Sequence, residues 1–77
     1  MKPDILANPQ EQEVTTDGQT PQGALFISVK NIGTSIASFN HVTLQPGEAK
    51  SYSFVGKGYK AMPYEVNGSK LNILYIF

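Results

Sequence analysis

Cysteine and arginine are both missing from this chain. Without cysteine there is no disulfide framework, no thiolate metal site and no sulfur nucleophile. Without arginine there is no guanidinium fork to grip phosphate or guanine at two points. All six cations are lysines (Lys2, Lys30, Lys50, Lys57, Lys60, Lys70), and six acids balance them to a formal net charge of zero. A nucleic-acid partner is therefore not expected. Long apolar runs are absent too. The longest, Ile73 to Phe77, falls far short of the roughly 20 residues of a membrane-spanning helix, so no membrane partner is expected. The opening Met1-Lys2-Pro3-Asp4 lacks the basic and apolar regions of a secretory signal, which places synthesis in the cytoplasm as an expectation. Histidine occurs once, as His41.

Seventy-seven residues make one domain. The composition breaks near Gly23. Residues 1–23 hold Pro3, Pro9 and Pro21, many Gln and Thr, and only Met1, Ile5, Leu6 and Val14 as large aliphatic side chains. No helical or strand period runs through them. Such a stretch buries too little apolar surface to offset its ordering entropy, so 1–23 is expected to be an extended polar arm. The arm sets one Lys against four acids, net −3, and the body 24–77 sets five Lys against two Glu, net +3. Ile5, Leu6 and Val14 are its candidate contacts with a partner, and Ile76 and Phe77 add an apolar end to the body.

Residues 24–77 read as strand and turn throughout, with no helix candidate. Leu25, Ile27 and Val29 alternate with Ser28 and Lys30, the period of a half-buried strand. Ser35 to Phe39, Val42 to Leu44, Ala49 to Val55, Tyr59 to Val66 and Lys70 to Phe77 supply further short strands. Between them lie Asn31-Ile32-Gly33, Asn40-His41, Pro46-Gly47 and Gly56-Lys57-Gly58. Asn67-Gly68 is a strong hairpin signal. The final strand is apolar on both faces in its second half, which fits a strand central in a sheet or covered by a partner. Roughly six strands at this spacing predict an all-β fold, a small antiparallel β-sandwich or barrel over 24–77. A body of about 54 residues buries only about 60% of its unfolded surface, so oligomerisation or docking on a larger protein would add to a narrow margin.

The chemical inventory points away from an enzyme. His41 has no second histidine or cysteine for a metal site, and an exposed turn position is its plainer account. No G-x-S-x-G occurs, and Gly56-Lys57-Gly58 lacks the spacing of a phosphate-binding loop. Asn67-Gly68-Ser69 matches a glycosylation sequon but reads first as a turn. No catalytic residue, metal or cofactor is expected. Tyr52, Tyr59 and Tyr64, with Lys57 and Lys60, form a candidate stacking platform for a sugar or single-stranded nucleic acid. The plainer account makes them core packing.

The run Val29 to Ala37, followed by Val42-Thr43-Leu44-Gln45-Pro46-Gly47-Glu48, resembles immunoglobulin-like β-sandwich modules of bacterial and phage surfaces. The second half, with Phe54 to Tyr59, Met62-Pro63-Tyr64, Asn67-Gly68-Ser69 and Leu71 to Tyr75, is similar to short proteins of tailed-phage particles. The resemblance implies a virion component, a head-decoration or auxiliary capsid protein. Its partners would be a larger capsid protein and further copies in a homo- or hetero-oligomeric assembly, with the arm lacing neighbours together. The alternative is a carbohydrate- or receptor-binding module on a virion or cell surface.

Overall fold

The computed structural model describes residues 9–77, which form two antiparallel four-stranded sheets packed as a small β-sandwich. Eight strands are present among them: β1 (Pro9–Val14), β2 (Gly18–Gln19), β3 (Phe26–Asn31), β4 (Ala37–Phe39), β5 (Val42–Leu44), β6 (Ala49–Tyr52), β7 (Pro63–Glu65) and β8 (Leu71–Ile76). One sheet runs β1-β8-β3-β6 and the other β2-β7-β4-β5. There is no helix among the described residues, hence none long and apolar enough to cross a membrane.

Alternation decides which side chains fill the space between the sheets. Ile27 and Val29 of β3, Leu71, Ile73 and Tyr75 of β8, Ala37 and Phe39 of β4, and Leu44 of β5 point inward and are buried. Ser28, Lys30 and Asn72 take the other face, as period two requires. Phe39 lies at the centre, fully buried, with rings of Tyr52 and Tyr64 about 6 Å away on either side. Each aliphatic side chain so buried contributes about 1.5–3 kcal/mol.

Three turns match their chemistry. Asn40 and His41 both have positive φ and join β4 to β5 as a two-residue hairpin. Pro46-Gly47 closes a turn in which Glu48 N–H donates to Gln45 O at 2.9 Å, with Gly47 at φ 87°. The Glu48 carboxylate folds back to accept from Gln45 N–H at 2.6 Å. Asn67-Gly68 also forms a tight turn, Ser69 N–H donating to Val66 O at 2.9 Å, but the expected hairpin is corrected. β7 and β8 belong to different sheets, so the turn carries the chain across the core instead of pairing its flanks.

The expected arm is corrected more deeply. Residues 9–14 are β1, laid antiparallel along the same chain's β8 from Pro9 opposite Ile76 to Val14 opposite Leu71. The following stretch runs along 59–66. Gly18 and Gln19 pair with Tyr64 and Pro63, Thr20 exchanges hydrogen bonds with Met62, and Ala24 bridges to Tyr59. Asp17 accepts from Val66 N–H at 2.8 Å. The physical reason is that a strand can be held by its backbone. Five of the six β1 side chains are exposed, and only Val14 is buried. The missing apolar period therefore says nothing about the six-residue register with β8. β8 is central, as its two-sided apolar sequence suggests, because β1 covers one of its edges and β3 the other.

One polar residue is built into the interior. Asn31, 0% exposed, ends β3 with every valence filled. Nδ2 donates to Ser35 O at 2.8 Å and to Leu44 O at 2.9 Å. Oδ1 accepts from Gly33 N–H at 3.1 Å and from Ser69 Oγ at 2.6 Å. Its backbone N–H donates to Glu48 O, and its carbonyl accepts from Gly47 N–H. A buried carboxamide is tolerated only when so satisfied.

Candidate docking end

The aromatic residues expected as a platform are drawn together, but as core. Tyr52 and Tyr59 meet edge to face at 6.0 Å, Tyr52 leans on Phe39 at 6.1 Å, and Phe39 stacks on Tyr64 at 6.2 Å. Tyr64 is only 7% exposed, because Pro63 and Glu65 on either side of it face outward and period two turns its ring inward. Burial raises its phenol pKa above the ordinary 10.0. Tyr75 is raised as well, first by burial and then by the neighbouring Tyr64. Tyr52 and Tyr59 are half-buried, and the Tyr52 hydroxyl has no hydrogen-bond partner among the described residues. Lys57 and Lys60 are exposed, so the tyrosines and lysines do not share one open face. The cation beside an aromatic face is instead Lys50, its Nζ 5.7 Å from the Tyr52 ring centre.

The five expected interface residues part company. Ile5 and Leu6 lie outside the described residues. Val14 is buried in its own chain's core, so its expected role in holding a partner is corrected. Ile76 and Phe77 remain half-buried, Phe77 against Tyr75 with ring centres 6.4 Å apart.

Register places these last two at one end of the sandwich with side chains that sequence alone left aside. Ile76 is opposite Phe26 on one side and Pro9 on the other, and Leu25 N–H donates to Ile76 O at 2.7 Å. Tyr52 is opposite Ile27, so the chain leaving β6 emerges at this same end. β6 stops at Tyr52, short of the expected Val55. Phe54 and Val55 consequently project from a loop, 60% and 64% exposed, the most exposed large apolar side chains among the described residues. Leu25 beside them is also exposed.

The loop is held at its base. The Tyr59 hydroxyl donates to Ser53 O, Tyr59 N–H donates to Ala24 O at 2.7 Å, and Gly58 packs against the Gly23 backbone so closely that a Cβ there would meet Gly23 O at 2.8 Å. Gly56, at φ 93° with open space around it, turns the tip. Lys57 and Lys60 flank this apolar tip, with no acid between Ala49 and Met62. A readable signal existed: Phe54-Val55 directly precedes a Gly-Lys-Gly breaker, where alternation cannot continue.

No enclosed cavity and no group of three His, Asp or Glu side chains suited to a metal ion is found among the described residues. His41 is exposed in its turn. No family model, curated protein or solved structure matches the chain.

Proposed function

We propose that the chain is a non-enzymatic structural protein that docks on a larger protein through the Phe54–Val55 end of its sandwich. The observation that carries this reading is that Phe54 and Val55 are the most exposed large apolar side chains among the described residues. They stand on a loop tied down at its base, at the end of the sandwich where register also places Leu25, Phe26, Ile76 and Phe77. Aromatic and aliphatic anchors on a rigid support are what interface centres use, and lysines at the rim suit an acidic surround on the partner. Fixing the loop beforehand lowers the ordering cost of binding.

The finer reading is a virion component decorating or stabilising a phage capsid. It rests on the resemblance of the turn motifs, with the sandwich as its scaffold. On a shell of many copies, modest single contacts add to firm attachment. The contact comes from the sandwich end in this reading, since residues 9–23 are engaged with their own chain.

Particles purified from cells that express the chain in its own genetic setting test both levels. The wild-type chain is expected in the particle fraction, and a Phe54→Ser/Val55→Ser variant is expected in the soluble fraction with an unchanged β-sheet circular dichroism spectrum. Wild-type chain missing from particles overturns the virion reading. A double variant that attaches as well as wild type overturns the docking end.

A further inference from the structure

β1 is held chiefly by its backbone. Five of its six side chains face solvent, and Val14 alone reaches the core. What fixes β1 is the backbone ladder to β8, with one exposed ion pair, Glu13 to Lys70 at 3.6 Å, beside it. From Asp17 onward the chain is stitched into the body by Asp17 to Val66, Gly18 to Tyr64, and Thr20 to Met62. Thr15 and Thr16 are exposed between these two regimes. A boundary this sharp defines a hinge.

The two sides of the hinge contrast in polarity. β1 is Pro-Gln-Glu-Gln-Glu-Val, a strand that water tolerates when unpaired. β8 beside it in the sheet presents Leu71, Ile73 and Tyr75 inward and Leu74 and Ile76 on its outer face. An uncovered β8 edge is thus a site that demands a strand, and a β1 segment is the strand whose register and length are already shown to fit it.

We propose that β1 is exchangeable: Pro9–Val14 of one copy pairs along β8 of a second copy, with Thr15–Thr16 straightened as the hinge. The exchanged contact repeats the intrachain one residue for residue, so what differs is association entropy and hinge geometry. Exchange therefore grows with concentration and after transient opening of the strand. The partner is a second copy of this chain. This inference does not depend on the docking end, which takes a different protein, although the Pro9–Ile76 pair of the ladder lies at that end.

The absence of cysteine makes a clean test. Glu13 and Asn72 are opposed in the β1–β8 register, and Ser51 lies on β6 at the far edge of that sheet. Single variants Glu13→Cys, Asn72→Cys and Ser51→Cys are mixed in pairs at high protein concentration. Each mixture is taken through mild denaturant and back, then oxidised in a glutathione buffer. The 13–72 heterodimer is expected in about tenfold excess over the 13–51 heterodimer, because register holds only the first pair of thiols together. A double variant Glu13→Cys/Asn72→Cys, oxidised within the monomer beforehand, is expected to stay monomeric by light scattering under the same treatment. Equal yields of 13–72 and 13–51 products overturn the proposal, as does a locked variant that dimerises like wild type.

Discussion

Asn31 and Ser69 meet side chain to side chain at 2.6 Å inside the fold, although 38 residues separate them. The contact ties the end of β3 to the Asn67-Gly68 crossover, while Asn31 Nδ2 reaches Leu44 O on the opposite sheet. One carboxamide thereby fixes how the two sheets face each other at this end.

Asn31→Ala is expected to destabilise the protein by about 3 kcal/mol or more, since it strands several buried groups at about 1–3 kcal/mol each. Ser69→Ala removes one partner and is expected to cost about 1 kcal/mol. Urea denaturation of both variants checks the ranking. A Ser69→Ala loss equal to that of Asn31→Ala would contradict the assignment of Asn31 as the hub.

Gly33 sits against the same turn. A Cβ there would overlap Ser69 Oγ and come within 2.5 Å of Lys70 N, so Gly33→Ala must shift backbone and is expected to cost about 1–3 kcal/mol. Gly47→Ala meets no neighbour but forces a methyl onto a positive φ, at about 1–2 kcal/mol. Thermal melts of the two distinguish the causes. Ser69→Ala is expected to cost less in the Gly33→Ala background than in wild type, because the Oγ overlap goes with it, and the same in the Gly47→Ala background.

Tyr52 carries a buried hydroxyl without a partner. Tyr52→Phe keeps the ring contacts with Phe39 and Tyr59 and removes the orphaned group. The variant is expected to match or exceed wild-type stability, by up to about 1 kcal/mol. A clear drop in its urea midpoint would show that the hydroxyl is bonded.

The raised phenols of Tyr64 and Tyr75 give a pH dependence with a definite sign. A phenol is neutral while it holds its proton, and the fold holds that proton more tightly than the unfolded chain, whose tyrosines ionise near 10.0. Their contribution is complete below that value and is lost as pH climbs through it toward the folded values. Ultraviolet titration of phenolate is expected to show Tyr64 and Tyr75 ionising late, together with loss of β structure. Tyr64 and Tyr75 ionising near the ordinary phenol value with the fold intact would contradict their burial.

Much of the sandwich was readable because alternation and turn chemistry are local. Ile27 and Val29, the Asn40-His41 hairpin and the Pro46-Gly47 turn all follow from short windows. β1 was not readable, because Gln10 to Glu13 are placed by backbone hydrogen bonds to residues near the other end of the described chain. Tyr64 was left between core and platform, since alternation alone does not say which face of a three-residue strand is inside, and the core account is the one the structure fits. Phe54 and Val55 looked like strand residues, and only the end of β6 at Tyr52 releases them.

The pairing of β1 with β8 also bears on how the protein is made. During synthesis Pro9 to Val14 emerge early, yet the strand that receives them is complete only once Ile76 has been added. Such long closures slow folding. Through that wait the segment travels as bare backbone among ribosomes and chaperones, and its glutamines and glutamates keep it from sticking to nascent neighbours. The polar composition that hides β1 from a periodicity scan is, in this light, protection for a latecomer to its own sheet.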